Sequence, residues 1–318
     1  MDCSTGLTWF RTGFLSTRKS LPLVKPYFSS HSGRLTRFGQ KQEESMYSGI
    51  VDIHAHMDDP CFRGITDLVL SHQKAHGVER IIQSGSELVS SQRSVAMAEK
   101  HDMISASVGV YPNEVVDLPD HYIDQLRELA KSSQVVAIGE IGMDYGYELH
   151  PPAETQEKAF REQLSLAVEL NLPVVIHNRE ADADVIRILQ DYPSVHGAIH
   201  RVFSPLKYAR ILLKMGFYMS IGPQITYPDS ECLVDLAREI PMSQLLLETD
   251  APFLPTYGMK EPPLLAERRI AGPQGIAALP SMIADVAEKI ASVRNDCTPQ
   301  EIIDAARVNA EKLFRLPI

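Results

Sequence analysis

From Tyr47 onward, eight short β-forming runs alternate with longer segments of helical period, and this rhythm constrains the chain more than any other feature. The runs are Ser48–Ile53, Val78–Ser84, Ile104–Val110, Val135–Glu140, Pro173–Asn178, Gly197–Phe203, Phe217–Ile221 and Gln244–Thr249. Strands joined by helix-length crossovers pair in parallel, and eight such units are the number that closes a single (β/α)8 barrel of the TIM type. An open, doubly wound sheet is the other arrangement this rhythm permits. The crossovers carry apolar stripes, as at Ile65, Leu68, Val69 and His72 and again at Phe160, Leu164, Ala167 and Val168. Thr298 as N-cap, Pro299 at the first helical position and Glu301 completing a capping box announce a last helix that carries Ile302, Ile303, Ala306 and Leu313. No internal repeat or linker interrupts residues 47–318, which are read as one barrel domain.

Residues 1–46 differ from that body. Arg11, Arg18, Lys19, Lys25, Arg34, Arg37 and Lys41 stand among many Ser and Thr, and Asp2 is the one acidic residue before Glu43. Such a leader reads either as an organellar transit peptide or as a disordered extension bypassed by starting at Met46, and the expected location is intracellular, cytoplasmic or organellar. The whole chain has a formal charge of −10, so it does not coat duplex nucleic acid through broad phosphate contact, and any nucleic-acid substrate is met locally. The four cysteines show no CxxC spacing, which excludes a cysteine metal knuckle, and no apolar run reaches the roughly 18 residues of a membrane span.

Most of the strand runs end in a residue able to hold a metal, and in a barrel those ends converge on one face. The first run leads into Asp52-Ile53-His54-Ala55-His56, in which His54 and His56 share a face by period two and can chelate one ion. The fourth ends its apolar stretch in Glu140, a carboxylate that is unfavourable to bury without a cation. The fifth ends at His177, with Arg179 two residues on and suited to gripping a phosphate oxygen. The sixth supplies His200, and the eighth supplies Glu248 and Asp250, again placed on one face by period two. Four histidines and two carboxylates suffice for two divalent ions, with zinc, manganese and magnesium all compatible with the donors. His72, His76, His101, His121, His150 and His196 read as surface or packing residues.

With these residues in place, the chain resembles the TatD family of metal-dependent deoxyribonucleases, within the amidohydrolase-like barrels. The resemblance is carried by Asp52-Ile53-His54-Ala55-His56-Met57-Asp58, Ala137 to Tyr145, Gln156 to Ala167, Leu172 to Arg179, Leu246 to Pro252 and the terminal Asn309-Ala310 with Leu313-Phe314. It implies that His54, His56 and Asp250 hold one metal, that His177 and His200 hold a second, and that Glu140 bridges them. It further implies 3′-to-5′ exonuclease or related phosphodiester hydrolysis of DNA ends or single strands, with Asp250 taking a proton from the attacking water. Three departures from the family pattern stand out. Its Gly-x-His-Pro-His loop is here Gly109-Val110-Tyr111-Pro112-Asn113, putting Tyr111 and Asn113 where relatives place substrate-binding histidines. Its His-Cys-Phe-Ser segment is one residue longer, as His200-Arg201-Val202-Phe203-Ser204, and its Asn-x-Pro is Ala278-Leu279-Pro280. The changed loop keeps a second reading open, a metal-dependent hydrolase of an acyl, lactone or aminoacyl-tRNA bond; a third is a non-catalytic metal-binding protein.

Overall fold

The computed structural model describes residues 46–258, 271–272 and 275–316, so the leader lies outside the described residues. Strands β1 (Ile50–Ala55), β2 (Val78–Ser84), β3 (Ile104–Val108), β4 (Val135–Asp144), β5 (Val174–Arg179), β6 (Gly197–Ile199), β7 (Tyr218–Ile221) and β8 (Leu245–Leu247) form one sheet in sequence order. Every neighbouring pair is parallel. The crossover helices are α1 (Thr66–Ala75), α2 (Leu88–Lys100), α3 (Tyr122–Leu129), α4 (Ala153–Leu170), α5 (Asp182–Gln190), α6 (Leu206–Lys214) and α7 (Glu231–Glu239), followed by α8 (Ile283–Arg294) and α9 (Pro299–Phe314). The result is a nearly closed eight-stranded barrel, and the doubly wound alternative is excluded.

Closure is made beyond the end of β8. Ala55 forms a parallel bridge with Ala251, the Asp250 amide donates to the His54 carbonyl at 2.9 Å, and the His56 amide donates to the Ala251 carbonyl. Asp52, fully buried, fastens the same seam by accepting from the Thr249 amide at 3.0 Å, the Thr249 hydroxyl and the His54 amide at 3.1 Å. Burial pushes its carboxyl up to about 8, against these three hydrogen bonds that favour the charged form. The barrel interior is filled by Val51, Ile53, Ile82, Val136, Ala137, Val175, Ala198 and Leu246. Ala310, Leu313 and Phe314 of α9 join that cluster, so the last helix is a closing element, and its Thr298–Glu301 capping box is formed in both directions.

The helical stripes depart in detail from the sequence reading. On α1 the buried residues are Val69, Leu70 and Gln73, while Leu68 is exposed; on α4, Phe160, Leu164 and Ala167 are buried and Val168 is exposed. The sheet selects an arc rotated from the aliphatic spacing because it also takes in polar side chains with backbone partners. Gln156 and Gln163 of α4 are the clearest cases. Gln156 accepts from the Asp144 amide at 2.8 Å and donates to the Asp144 carbonyl at 3.0 Å, and Gln163 does the same to Val110 at 2.7 and 3.1 Å. One helix thereby fixes the segments after β3 and at the end of β4.

Two strands also differ from expectation at the ends that build the site. β4 runs on to Asp144 instead of stopping at Glu140, because Glu140 is an extra residue between the Gly139–Val175 and Ile141–Ile176 pairs. Its amide turns to the Gly85 carbonyl at 2.9 Å, the re-aiming that a bulge produces. β6 stops at Ile199, short of the expected Phe203. Past the bulge, Gly142 has φ +144°, and a Cβ there would lie 1.9 Å from the His177 carbonyl oxygen. Gly142→Ala is expected to destabilise the fold by about 3 kcal/mol, read as a lower denaturation midpoint, since β4 and β5 would have to separate. An unchanged midpoint would contradict this close approach. No described helix is long and apolar enough to cross a membrane.

Candidate metal centre

Glu140 occupies the middle of the strand ends, and its two oxygens face different partners. Oε2 lies 3.5 Å from His54 Nε2 and 4.0 Å from His56 Nε2, while Oε1 lies 2.8 Å from His177 Nδ1 and 3.1 Å from His200 Nε2. Asp250 completes the first side, with Oδ1 at 3.7 Å from His54 Nε2 and 3.4 Å from His56 Nε2. The His54 and His200 rings stack at 3.9 Å, joining the two sides, and His177 Nδ1 lies 3.1 Å from His200 Nε2. The six residues that the resemblance implies as ligands therefore come together, from β1, β4, β5 and the segments after β1, β6 and β8.

The donors suit divalent cations. Ligand atoms of His54, His56 and Asp250 lie within 4.8 Å of one another, and so do those of His54, Glu140 and His200. Among the described residues neither buried ring nitrogen of His54 has a hydrogen-bond partner, and a cation bound at one of them would relieve that unfavourable state in part. Charge is arranged accordingly. Burial opposes ionisation of Glu140, yet the surrounding His200, His177 and His54 hold its carboxyl well below the usual carboxylate range. Asp250 is likewise held at about 2 against burial, by His56, Arg201 and His54. Burial, helped by the charge of His200, lowers His54, whereas Glu248 and Glu140 push His200 up to about 10 despite its burial.

Behind the donors stands a second row of carboxylates that the sequence reading did not assign. Asp144, fully buried, lies with Oδ2 2.9 Å from His177 Nε2, and Glu248, also fully buried, has Oε1 3.5 Å from His200 Nδ1. Each backs the ring nitrogen facing away from Glu140, as carboxylates do behind metal-binding histidines. Glu248 and Asp250, expected on one face, instead serve opposite sides. β8 ends at Leu247, and Asp250 takes a left-handed backbone of φ 58° that breaks the period-two alternation.

Tyr111, Asn113 and Arg179 gather around Asp144. The Tyr111 hydroxyl donates to Asp144 Oδ2 at 2.6 Å, Asn113 Nδ2 donates to the Tyr111 oxygen at 3.1 Å, and the Tyr111 ring meets the His177 ring edge-on at 4.8 Å. The Arg179 guanidinium lies over the Tyr147 ring, 4.6 Å from its centroid, and a Cβ at Gly146 would collide with it. Against burial, His177, Tyr111 and Arg179 hold the Asp144 carboxyl below its ordinary value. Tyr111→Phe removes one donor from this row and is expected to weaken divalent-cation affinity about tenfold, measured by competition with a chelating dye. Unchanged affinity would detach Tyr111 from the centre.

Imidazoles and carboxylates converging at the mouth of a (β/α)8 barrel define a metal-dependent hydrolase. The chain belongs to the TatD family: the family model described as TatD related DNase matches residues 51–315. YabD, an uncharacterized metal-dependent hydrolase of Bacillus subtilis, is 34% identical over 269 residues, which cover 84% of this chain and 99% of YabD. The 3′-5′ ssDNA/RNA exonuclease TatD of Cronobacter sakazakii is 35% identical over 206 residues, 64% of this chain and 78% of that protein. The crystal structure of the TatD homolog YjjV from Escherichia coli superposes with a TM-score of 0.73 at 28% identity, covering 85% of this chain and 99% of that one.

Proposed function

We propose that the chain is a divalent-metal-dependent phosphodiesterase that removes nucleotides from single-stranded DNA or DNA ends in the 3′-to-5′ direction. The observation that carries this reading is the division of Glu140, with one oxygen toward His54 and His56 and the other toward His177 and His200. In this assignment His54, His56 and Asp250 hold one cation, His177 and His200 the other, and Glu140 contributes to both. Magnesium, manganese and zinc all suit a mixed imidazole and carboxylate set. Divalent cations supply Lewis-acid polarisation of a phosphoryl oxygen and acidify water at the site. Asp250, kept ionised by its neighbours, accepts a proton from the attacking water, while Asp144 and Glu248 hold the His177 and His200 rings in register. Arg179 lies on the Asp144 side and balances phosphate charge there, which an acidic chain requires locally. The choice of nucleic acid over other hydrolase substrates is supported by the family description and by the exonuclease named among the relatives.

The test is metal-depleted full-length protein incubated with 3′-labelled and 5′-labelled single-stranded DNA, with magnesium, manganese or zinc restored in turn. Metal-dependent release of mononucleotides from the 3′ end is the expected result. A protein that takes up metal yet releases no nucleotide would refute the nuclease reading. It would shift attention to acyl, lactone and aminoacyl-tRNA esters, the reading that the departure from the family loop at Tyr111 and Asn113 keeps open.

A further inference from the structure

Arg201 is the residue at which the chain absorbs the extra position after His200. The His200 amide donates to the Ile176 carbonyl at 3.0 Å and the Val202 amide to the Ser220 carbonyl at 3.0 Å, so backbone pairing to β5 and β7 holds on either side. Arg201 between them takes a left-handed backbone of φ 46°, a conformation that is unfavourable for a non-glycine residue. That excursion delivers its guanidinium to the centre, where Nη1 lies 3.3 Å from Asp250 Oδ2. At 3.3 Å this contact is longer than a charge-assisted hydrogen bond, and it engages Asp250 Oδ2 while Oδ1 faces His54 and His56. The Arg201 side chain is 29% exposed against 7% for Asp250, so it stands at the boundary between buried donors and solvent. Arg179, held over Tyr147 and acting on Asp144, serves the other side.

We propose that Arg201 is a specificity-determining residue that binds the phosphate group of the substrate on the Asp250 side of the centre, selecting anionic phosphate esters over neutral ones. This rests on the phosphodiesterase reading above. A planar guanidinium matches adjacent phosphate oxygens, and an anion lying against both Asp250 and the cation donors comes within its reach. The competing role is purely positional, with Arg201 acting only by steadying Asp250.

The test is calorimetric titration of metal-loaded full-length protein with thymidine 5′-phosphate and with uncharged thymidine, for the wild type, Arg201→Gln and Arg201→Lys. Metal content and DNA hydrolysis are measured on the same samples. Arg201→Gln is expected to weaken thymidine 5′-phosphate binding by at least about tenfold, with thymidine binding and metal content preserved, and Arg201→Lys to recover part of the loss. Binding of the phosphate within twofold of wild type, or a loss of bound metal in parallel with affinity, overturns the proposal while DNA hydrolysis by the wild type leaves the nuclease reading standing. A wild type that neither binds thymidine 5′-phosphate nor hydrolyses DNA refutes that reading and Arg201's role with it.

Discussion

On the two-cation phosphodiesterase assignment proposed above, Glu140→Gln is expected to lower DNA hydrolysis by about ten-thousandfold and to reduce the bound divalent ions from two per chain to one or none. The substitution keeps the size of the side chain and one carbonyl oxygen, so the bulge that presents it is undisturbed. It removes a negative charge from among His54, His56, His177 and His200, and it replaces one acceptor with an amide donor. Because Oε1 and Oε2 address different histidine pairs, either orientation of the amide points N–H groups at imidazole nitrogens meant for a cation. Ion content after equilibrium dialysis, measured by mass spectrometry, reads the first effect, and mononucleotide release reads the second. Circular dichroism checks the fold, which does not depend on this carboxylate for strand pairing. Full ion content and full turnover in the variant would remove Glu140 from the centre and with it the two-cation assignment.

The gathering of the six side chains proposed as ligands was legible in the sequence because each closes or follows an apolar strand run, and a barrel brings strand ends together whatever their separation along the chain. Asp144 was not, and Glu248 was named without its place behind His200, for a reason of geometry. Counting by period two ends β4 at Glu140, and only the paired strand shows that Glu140 is bulged and that four further residues stay in the sheet. The same count placed Glu248 beside Asp250, whereas the left-handed backbone at Asp250 sends the two carboxylates to opposite sides. Tyr111 and Asn113 could be recognised as departures from the family loop, but the relay from Asn113 to the Tyr111 hydroxyl and from there to Asp144 depends on how β3 and β4 lie against each other. The extra residue after His200 was visible in the sequence; that the left-handed backbone at Arg201 carries a guanidinium to Asp250 required the seam between β8 and β1, which sequence alone does not display.

Asp250→Asn separates two roles that one carboxylate combines in the proposed mechanism. Asparagine tolerates the left-handed backbone at this position better than any uncharged residue except glycine, so the seam bonds from the 250 amide to the His54 carbonyl and from the His56 amide to the Ala251 carbonyl are retained. The amide still offers one oxygen toward His54 and His56, but it no longer accepts a proton, and the charge complementing Arg201 and His56 is gone. Turnover is expected to fall about a thousandfold while KM for DNA changes little, the pattern for a group needed in the transition state more than in the bound substrate. Metal affinity should fall as well, and raising the manganese concentration should restore ion content without restoring kcat. If added metal returns both together, Asp250 is a ligand only and the proton acceptor must be sought elsewhere in the centre. If neither content nor kcat changes on substitution, the first cation is held without it.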